Sequence, residues 1–263
     1  MDLQGCSEEA GKGRITSGTR EWASHNANCC LGCSNGCRYC YARNMAVHYG
    51  RATKVTWIEM KVNQKALAKP YRKTEERWMF PTSHDITSDP EVMDACFTVL
   101  KKLLESENQV LVTTKPRLSV VDKIHELFSS FQDQIQFSFT ITSLNDDLLK
   151  FWEPNAPRFK ERFHSLVFAF NKGYKTSVSI EPFLDYDPGA LVKTVEPFCT
   201  ESIWIGKMNY ISRKGIREDE APFYAAARKN YELDNLVDIW KRMKEHPKVR
   251  FKDSIRIKLS RAQ

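Results

Sequence analysis

No run of apolar residues in this 263-residue sequence reaches the length of about 20 residues that spans a membrane. The polar start MDLQGCSEEAGKGR is unlike a secretory signal peptide, and the chain has no low-complexity tract, fixed-period repeat or clear linker between domains. Its eight cysteines are not spread evenly, as they are in the disulfide frameworks of secreted proteins. We therefore expect a cytoplasmic protein with reduced thiols. A hydrophobic content of 41% is enough for one large domain or two small ones.

What the sequence does contain is a group of thiols in CLGCSNGCRYCYARNMA, residues 30–46. Three of them follow the spacing C-x3-C-x2-C in a stretch with Gly and Asn, so their sulfurs can converge on one side of a metal centre: Cys33, Cys37 and Cys40. Three thiolates suit a cubane iron–sulfur cluster that keeps one iron open. A fourth ligand from Cys29 or Cys30 would instead close a zinc site. Zinc sites usually combine two short cysteine pairs, however, and a second, distant pair is missing.

The other cysteines are scattered along the chain as Cys6, Cys96 and Cys199. Cys96 falls on the apolar face of a predicted helix, where we expect a small core residue. Cys6, Cys29 and Cys30 are too few and too irregularly spaced to predict a second cluster.

Strand-like and helix-like segments alternate after these cysteines. Short apolar runs predict strands at 77–83, 109–114, 135–142, 176–183 and 202–208, a last one near 249–252, and a first one near REWAS, before the cysteines. Capping residues predict two helices between them, one capped by Asp89 with Pro90 in first position and one capped by Ser119. Periodicity predicts a third helix, with Phe159, Phe163, Leu166 and Phe170 on one face. A short helix near Pro188 and a long one over 221–245 complete the set. This alternation is typical of β/α units around a parallel sheet, either a barrel or an open sheet.

Polar residues follow several of the predicted strands. In parallel α/β folds the chemistry gathers at the carboxyl ends of the strands. The candidates at those positions are Ser83, His84, Asp85, Thr113, Thr114, Lys115, Thr140, Thr142, Ser143, Glu181, Lys207 and Asn209. The alternative is that they cap helices or solvate loops.

The net charge of +7 is concentrated at one end of the chain. Residues 241–263 carry nine Lys or Arg and two acidic residues, so nine minus two accounts for the whole excess. Such a segment can track phosphates. A solvated helix face and chain terminus would give the same pattern.

The stretch CSNGCRYC, with an aromatic residue before its last cysteine, resembles the signature of radical S-adenosylmethionine (SAM) enzymes. The continuation CRYCYARNMA and the later stretches LVTTKPR, WEPNAP and VSIEPFLD are similar to the spore photoproduct lyase-like branch and to related phage-borne proteins of that superfamily. The resemblance follows the order of elements over residues 28–210. It implies an α/β fold, namely a partial (β/α)6 TIM-type barrel. The whole chain, 1–263, would then be a single domain, with its core at about 20–210 and a C-terminal extension of helix and strand at 211–263.

The resemblance also implies a 4Fe-4S cluster on Cys33, Cys37 and Cys40, with SAM bound at the open iron. Enzymes of this kind take an electron from a donor such as a flavodoxin or ferredoxin and cleave SAM to a 5′-deoxyadenosyl radical, which abstracts hydrogen from the substrate. The lyase-like branch favours a nucleic-acid base or lesion as that substrate, with residues 241–263 as the candidate contact to nucleic acid.

Site residues carry over by position, and no catalytic hydrogen donor is among them. Tyr39 matches the aromatic residue near the adenine, and the stretch Ser83, His84 and Asp85 takes the place of a glycine-rich segment that contacts the methionyl amino group. The remaining contacts implied are Thr114 and Lys115 with the carboxylate, Thr142 or Ser143 with the ribose, and Glu181 with the ribose or the amino group. For Glu181 an ion pair with Lys115 or Lys207 is the alternative.

Two alternatives keep the thiol site but not the SAM chemistry. The first is a zinc-stabilised nucleic-acid-binding module, with Cys29 or Cys30 as fourth ligand and the basic end as the contact surface. The second is a cluster protein that serves as a scaffold. Colour separates zinc from an iron–sulfur cluster, and 5′-deoxyadenosine formation separates an enzyme from a scaffold.

Overall fold

In the computed structural model, which describes residues 17–261, strands and helices alternate along most of the chain. The strands are β1 (His25–Asn26), β2 (Cys30–Leu31), β3 (Lys61–Val62), β4 (Trp78–Phe80), β5 (Val110–Thr114), β6 (Ile135–Thr140), β7 (Lys175–Ile180), β8 (Ile203–Ile205) and β9 (Val249–Phe251). The helices are α1 (Tyr41–His48), α2 (Gln64–Ala68), α3 (Pro90–Glu105), α4 (Leu118–Phe128), α5 (Asp146–Trp152), α6 (Phe159–Asn171), α7 (Gly189–Val195), α8 (Ala221–Asn230), α9 (Leu233–Met243) and α10 (Asp253–Ser260). Cys6 and the polar N-terminal stretch lie outside the described residues.

Seven strands form one parallel sheet in the order β1-β4-β5-β6-β7-β8-β9. The sheet curls into a half-barrel, which confirms the predicted partial TIM-type barrel. The predicted final strand, now β9, pairs in parallel with β8 and becomes the seventh member of this sheet. β2 and β3 form a separate antiparallel pair. Within the described residues, no helix combines the length and the apolarity needed to cross a bilayer.

The central strands are buried on both faces, because helices cover the outside and the barrel interior fills the other side. β5 and β6 pair Val112 with Phe137, and β6 and β7 pair Phe139 with Val178. All four of these side chains are fully buried. The apolar residues of these strands form a short run in β5 and alternate with polar residues in β6 and β7, and this pattern explains why the strands were predictable.

The predicted helix over 221–245 is two helices. The chain turns at Tyr231, whose hydroxyl donates a hydrogen bond to the carbonyl of Phe183. On either side of the turn, the Asn230 side chain donates to the Leu184 carbonyl at 2.7 Å and the Asn235 side chain donates to the Tyr186 carbonyl at 3.0 Å. These polar anchors fix both helix ends against the segment after β7, and helical periodicity does not reveal them.

The predicted apolar face of α6 is only partly buried, with Leu166 in the core and Phe159 and Phe163 packed against it. The helix buries Arg162, Ser165, Leu166 and Ala169, while Phe170 is partly exposed. The arginine turns inward because it has a buried acidic partner, described below. The phenylalanines of α6 pack beside this face instead: the rings of Phe159 and Phe163 stack at 5.5 Å, and Phe170 meets Phe198 at 5.7 Å.

Some of the other local predictions are confirmed and others are wrong. Asp89 caps α3 by accepting from the Val92 amide at 3.0 Å, and Pro90 opens that helix, as predicted. Ser119 is not the cap of α4, which begins one residue earlier after Arg117. The first strand lies at His25–Asn26, just after REWAS, and the short helices α5 and α10 were not predicted.

Side chains link the first and last elements of the sheet. The buried Lys252, directly after β9, pairs with Glu21 at 2.5 Å and donates to the Gly18 carbonyl at 2.8 Å. Arg256 of α10 donates to the same glutamate at 2.7 Å. Two cations of the basic C-terminal segment therefore hold the barrel together.

Candidate functional site

A cavity of about 840 Å³ opens at the carboxyl ends of the parallel strands. One wall is formed by residues 33–40, which we call the cysteine loop. The lining side chains from the strand ends are Asn26, Thr82, Ser83, His84, Asp85, Thr113, Thr114, Lys115, Thr140, Glu181, Lys207, Asn209, Tyr210, Lys252 and Asp253; those from the cysteine loop are Cys33, Asn35, Cys37, Tyr39 and Cys40. The topology thus brings most of the predicted site residues to one place.

The cysteine loop is entered through a close backbone contact. Gly32 has φ +99, and a Cβ there would lie 2.3 Å from the carbonyl oxygen of Glu59. The next residue, Cys33, donates its amide to the Trp57 carbonyl at 2.8 Å. Only glycine permits both this φ and this approach, so Gly32 sets the direction in which the thiols emerge.

The far side of the cysteine loop is held by the WEPNAP segment, residues 152–157. The amide of Arg38 donates to the Trp152 carbonyl at 2.9 Å, and the amide of Asn155 donates to the Asn35 carbonyl at 3.3 Å. Arg117 joins them by donating to the Asn35 side chain at 3.3 Å and to the Asn155 carbonyl at 3.1 Å. The segment that follows α5 is therefore a brace for the cysteine loop.

Beneath this brace lies the fully buried carboxylate of Glu153. It pairs with Arg162, accepts from the hydroxyl of Tyr39, and accepts from Thr142 at 2.9 Å; the Lys115 ammonium is 4.0 Å away. Burial opposes ionisation, but Arg162 and Lys115 outweigh it and lower the pKa of Glu153. This charged network ties the aromatic residue of the cysteine loop to β6 and α6.

Sequence reasoning missed the network around Glu153 and Arg162. The available signal was a charged residue close to the apolar positions of a predicted helix: Arg162 lies on the buried face of α6 with Leu166 and Ala169. Since an unpaired buried charge is very costly, such a residue predicts a buried acidic partner.

Asp85 is a second buried carboxylate at the site. It accepts from the side chain of Asn35 at 2.5 Å, the amide of Lys115 at 3.1 Å and the amide of Ile86 at 2.8 Å, and also from the hydroxyl of Thr114. The carboxylate therefore joins the cysteine loop to the end of β5. Its hydrogen-bonding capacity is largely used by the protein itself.

His84 points away from the cavity centre towards other cysteines. Its Nε2 accepts from the Cys29 amide at 3.1 Å and lies 3.8 Å from the Cys29 sulfur. Its Nδ1 lies 3.1 Å from the Asp85 carbonyl, to which it donates when Nε2 is the acceptor. Burial lowers the pKa of His84, so the neutral ring with this tautomer is favoured.

Two predicted residues lie outside the cavity lining. Thr142 is fully buried and donates to Glu153. Ser143 is also fully buried and donates to Asp185 at 2.9 Å. Their contact with a ribose stays a prediction, and the cavity geometry gives it no support.

Glu181 lines the cavity just after β7, in contact with Gly206 of the neighbouring strand end. A Cβ on Gly206 would lie 2.7 Å from the Glu181 Cγ, so glycine leaves room for the acid. The nearest cation is Lys252 at 4.0 Å, rather than the Lys115 or Lys207 considered from the sequence. Burial raises the pKa of Glu181 to about 7, although Lys252 opposes the shift.

We expect Glu181 to make folding stability depend on pH. Its pKa rises from an ordinary 4.5 to about 7, so the folded protein retains a proton that the unfolded chain releases earlier. Stability should fall as pH rises between these values, by at most about 3 kcal/mol. Urea unfolding from pH 4.5 to 8 should show a flatter profile for Glu181→Gln than for the wild type. The exposed Glu245→Gln should retain the wild-type slope, and equal slopes for all three would refute the assignment.

The cavity mouth carries cations and exposed apolar side chains. Arg20 and Arg51 line it from the exposed side. Tyr41, Met45 and Tyr210 line it with 46%, 41% and 50% of their surface exposed. The mouth thus combines positive charge with exposed apolar surface.

Fewer of the cations in residues 241–263 are free to contact phosphates than the sequence suggested. Lys252 is buried in the barrel seam, Arg256 pairs with Glu21, and Lys258 donates to the Tyr231 carbonyl. Arg242 pairs with Asp187 at 3.0 Å. Much of the basic segment therefore has a structural role.

A protein-family model described as "Protein of unknown function (DUF5131)" matches residues 17–156, more than half of the chain. The chain belongs to the DUF5131 family. The match extends from just before β1 into the WEPNAP segment, so it contains the whole cysteine loop and most of its brace.

Two relatives by sequence carry the description "Uncharacterized protein". One, from Methanocaldococcus jannaschii, is 25% identical over 67% of this chain and 67% of its own length. The other, from Acidianus two-tailed virus, is 26% identical over 59% of this chain. The alignment covers only 54% of the viral protein.

Solved structures share the fold. A spore photoproduct lyase mutant with bound AdoMet and dinucleoside spore photoproduct aligns over 87% of this chain and 76% of its own, with TM-score 0.54 and 15% identity. Streptococcus suis SuiB bound to S-adenosylmethionine aligns over 84% of this chain but 45% of its own, with TM-score 0.50 and 11% identity. The resemblance to the spore photoproduct lyase-like branch is therefore confirmed in the fold.

In the described part of the chain, the three thiols of the cysteine loop do not converge tightly enough to share a single metal ion. Among residues 17–261, no group of potential ligands with all atoms within 4.8 Å of one another includes Cys33, Cys37 or Cys40. Thiolates around one zinc ion lie about 3.8 Å apart, given Zn–S bonds of about 2.3 Å. Cys40 also caps α1 by accepting from the Arg43 amide at 3.4 Å, a position that stabilises negative charge. Burial raises the pKa of Cys37 to about 12, so the metal-free thiol keeps its proton.

Proposed function

We propose that this protein is a radical SAM enzyme whose 4Fe-4S cluster is held by Cys33, Cys37 and Cys40. The observation that carries the proposal is a braced cysteine loop whose three thiols line a cavity at the carboxyl ends of a partial barrel. The similarity in fold to structures with bound AdoMet supports it. When bound and reduced by a donor such as a flavodoxin or ferredoxin, the cluster would supply the electron that cleaves SAM to the 5′-deoxyadenosyl radical.

The chain's own residues would position SAM between the cysteine loop and the strand ends. Lys115 is a compact cation on the cavity wall, suited to the methionyl carboxylate, and its ammonium lies 5.7 Å from the centre of the Tyr39 ring. Glu181 offers an acceptor for the amino group across the cavity. Tyr39 presents an aromatic surface for the adenine, and its hydroxyl is fixed by Glu153.

The hydrogen bonds of Ser83, His84 and Asp85, the stretch after β4, decide which of these residues is left to contact the methionyl group of SAM. Asp85 and His84 are engaged with the cysteine loop and Cys29, so they would position the site rather than touch SAM. Ser83 lines the cavity and is the member of this stretch that we assign to the methionyl group. Thr114 lines it too, but its hydroxyl is held by Asp85.

The reduced, cluster-loaded protein should cleave SAM to 5′-deoxyadenosine and methionine, slowly even without substrate. The test is anaerobic incubation of the full chain with a strong reductant, followed by chromatography of the products. Lys115→Ala should weaken SAM binding without reducing iron content, because Lys115 lies beside the thiols but has no sulfur to offer. A fully loaded protein that yields no 5′-deoxyadenosine would favour the scaffold alternative, and a colourless zinc protein would favour the binding module.

We further propose a nucleic-acid base or lesion as the substrate. Arg20 and Arg51 would meet phosphates at the mouth, and Tyr41 or Tyr210 would stack on an unpaired base. Phe183, the other aromatic residue near this end, is buried and belongs to the core. A cytoplasmic location would suit both this substrate and the electron donor.

Oligonucleotide binding should weaken steeply with salt, because each neutralised phosphate releases counterions. Neutralising two contacts with Arg20→Gln and Arg51→Gln should reduce the slope of log affinity against log salt by about 1.8 on duplex DNA and about 1.4 on single strands. Fluorescence anisotropy at several salt concentrations measures this slope. Lys193→Gln, on α7 and remote from the cavity, is the matched control. An unchanged slope in the double variant would indicate that nucleic acid contacts a different surface of the protein. Absence of binding by the wild type would refute the nucleic-acid proposal.

A further inference from the structure

A second group of metal-ligating side chains lies behind the cavity wall, separate from the cysteine loop. The sulfur of Cys29 lies 3.9 Å from that of Cys30 and 3.6 Å from that of Cys96, and 3.8 Å from Nε2 of His84. Cys29, Cys30 and His84 have all their ligand atoms within 4.8 Å of one another. Three sulfurs and one imidazole nitrogen therefore converge in the core.

These separations are those of a tetrahedral zinc site. Zn–S bonds of about 2.3 Å give S···S edges of about 3.8 Å, and Zn–N bonds of about 2.0–2.1 Å give S···N edges of about 3.5 Å. The edges that meet at the Cys29 sulfur, at 3.6 to 3.9 Å, match these values within a few tenths of an ångström. Cys96 is not among the ligands that all lie within 4.8 Å of one another, so its sulfur would have to move towards the others before all four atoms could bind one ion.

The histidine is oriented as a ligand. Its Nδ1–H donates to the Asp85 carbonyl, the contact that commonly fixes the tautomer of a metal-bound imidazole and leaves Nε2 free to coordinate. Metal binding would replace the hydrogen bond from the Cys29 amide to Nε2 with a bond from Nε2 to the ion.

Burial favours a closed, structural site. Cys29 and Cys96 are completely buried, and Cys30 and His84 are 7% and 8% exposed. Cys30 and His84 also line the cavity, which provides an entry path for the ion. Three elements supply the ligands: the start of β2, the loop after β4, and α3.

We propose that Cys29, Cys30, Cys96 and His84 bind one structural zinc ion. Bound zinc would be held by three thiolates and one neutral imidazole, and the protons that the thiols still carry would be released to solvent. The ion would tie the strand that leads into the cysteine loop to the helix beneath it. This site is independent of the cluster proposed above, and either one can be wrong without the other.

The test is metal analysis of the full chain in a variant with Cys33, Cys37 and Cys40 all changed to Ser. After growth with zinc, this variant should contain one zinc ion per chain. Addition of Cys96→Ser or of Cys29→Ser should reduce zinc to background. Addition of Cys199→Ser should leave zinc unchanged, since Cys199 is an equally buried cysteine on another element.

Cobalt(II) tests the zinc site without any substitution of Cys29, Cys30, Cys96 or His84. The metal-free triple variant titrated with cobalt should develop thiolate-to-metal charge-transfer absorption and the intense visible bands of tetrahedral coordination, saturating at one equivalent. Absence of these bands, or of zinc from the triple variant, would overturn the proposal. So would retention of zinc in Cys96→Ser, or its equal loss in Cys199→Ser.

Discussion

Changing any one of Cys33, Cys37 and Cys40 to Ala is expected to abolish iron–sulfide loading. Each would supply one of three thiolate ligands, and a cluster with two protein ligands has too little anchorage to survive in water. Iron and acid-labile sulfide per chain, measured after anaerobic reconstitution, should drop to background in all three variants. SAM cleavage should disappear with them, because the electron that breaks the sulfonium bond comes from the cluster.

Cys29→Ala and Cys30→Ala are the matched controls for these variants, since they remove neighbouring thiols that face another group of ligands. Both should load iron largely as the wild type does, although both should lose zinc if the second site exists. Full iron in Cys37→Ala, or loss of iron in Cys30→Ala, would contradict the ligand assignment. Measuring iron and zinc on the same samples distinguishes the cluster site from the zinc site.

Glu153→Gln is expected to be the most destabilising conservative substitution in the site. It leaves the fully buried guanidinium of Arg162 without a charged partner, and breaking a buried pair in this way costs about 3–5 kcal/mol. The loss also reaches Tyr39, whose hydroxyl donates to the same carboxylate. Iron loading should therefore fall along with the free energy of unfolding, because the brace of the cysteine loop is weakened.

Urea unfolding at neutral pH measures the effect, with Glu161→Gln on the exposed face of α6 as the control. The control should stay within about 0.5 kcal/mol of the wild type. The double variant Glu153→Gln with Arg162→Met should recover part of the stability, since it removes the uncompensated charge. A wild-type unfolding curve for Glu153→Gln would show that the ion pair contributes little. The pKa of Glu153 is lowered, so the contribution of this pair is present at neutral pH and is lost as pH falls through the acid range.

Predictions of the fold succeeded where the pattern was local. The strand Val110–Thr114 was predictable because its first three residues form a buried apolar run, and Ile135–Thr140 because apolar and polar residues alternate along it. The cap of α3 was predictable because Asp89 and Pro90 act within one turn of each other. The break at Tyr231 was not, because the groups that fix it lie at residues 183 and 184, in the segment after β7.

The choice of a partial barrel over an open sheet came from the resemblance to radical SAM enzymes. The sequence by itself determined the spacing of Cys33, Cys37 and Cys40 and the alternation of strands and helices, which indicated β/α units around a parallel sheet with polar residues at its strand ends. These features depend on residues close together in the chain. Only the tertiary structure decided that Glu153 holds Tyr39, 114 positions away, and that Cys29 meets Cys96 across 67 positions. Packing of helices and loops against the sheet brings such groups together, and burial then requires each charge to find a partner. Because those partners are selected by the packing of distant elements, periodicity and spacing carry little trace of them.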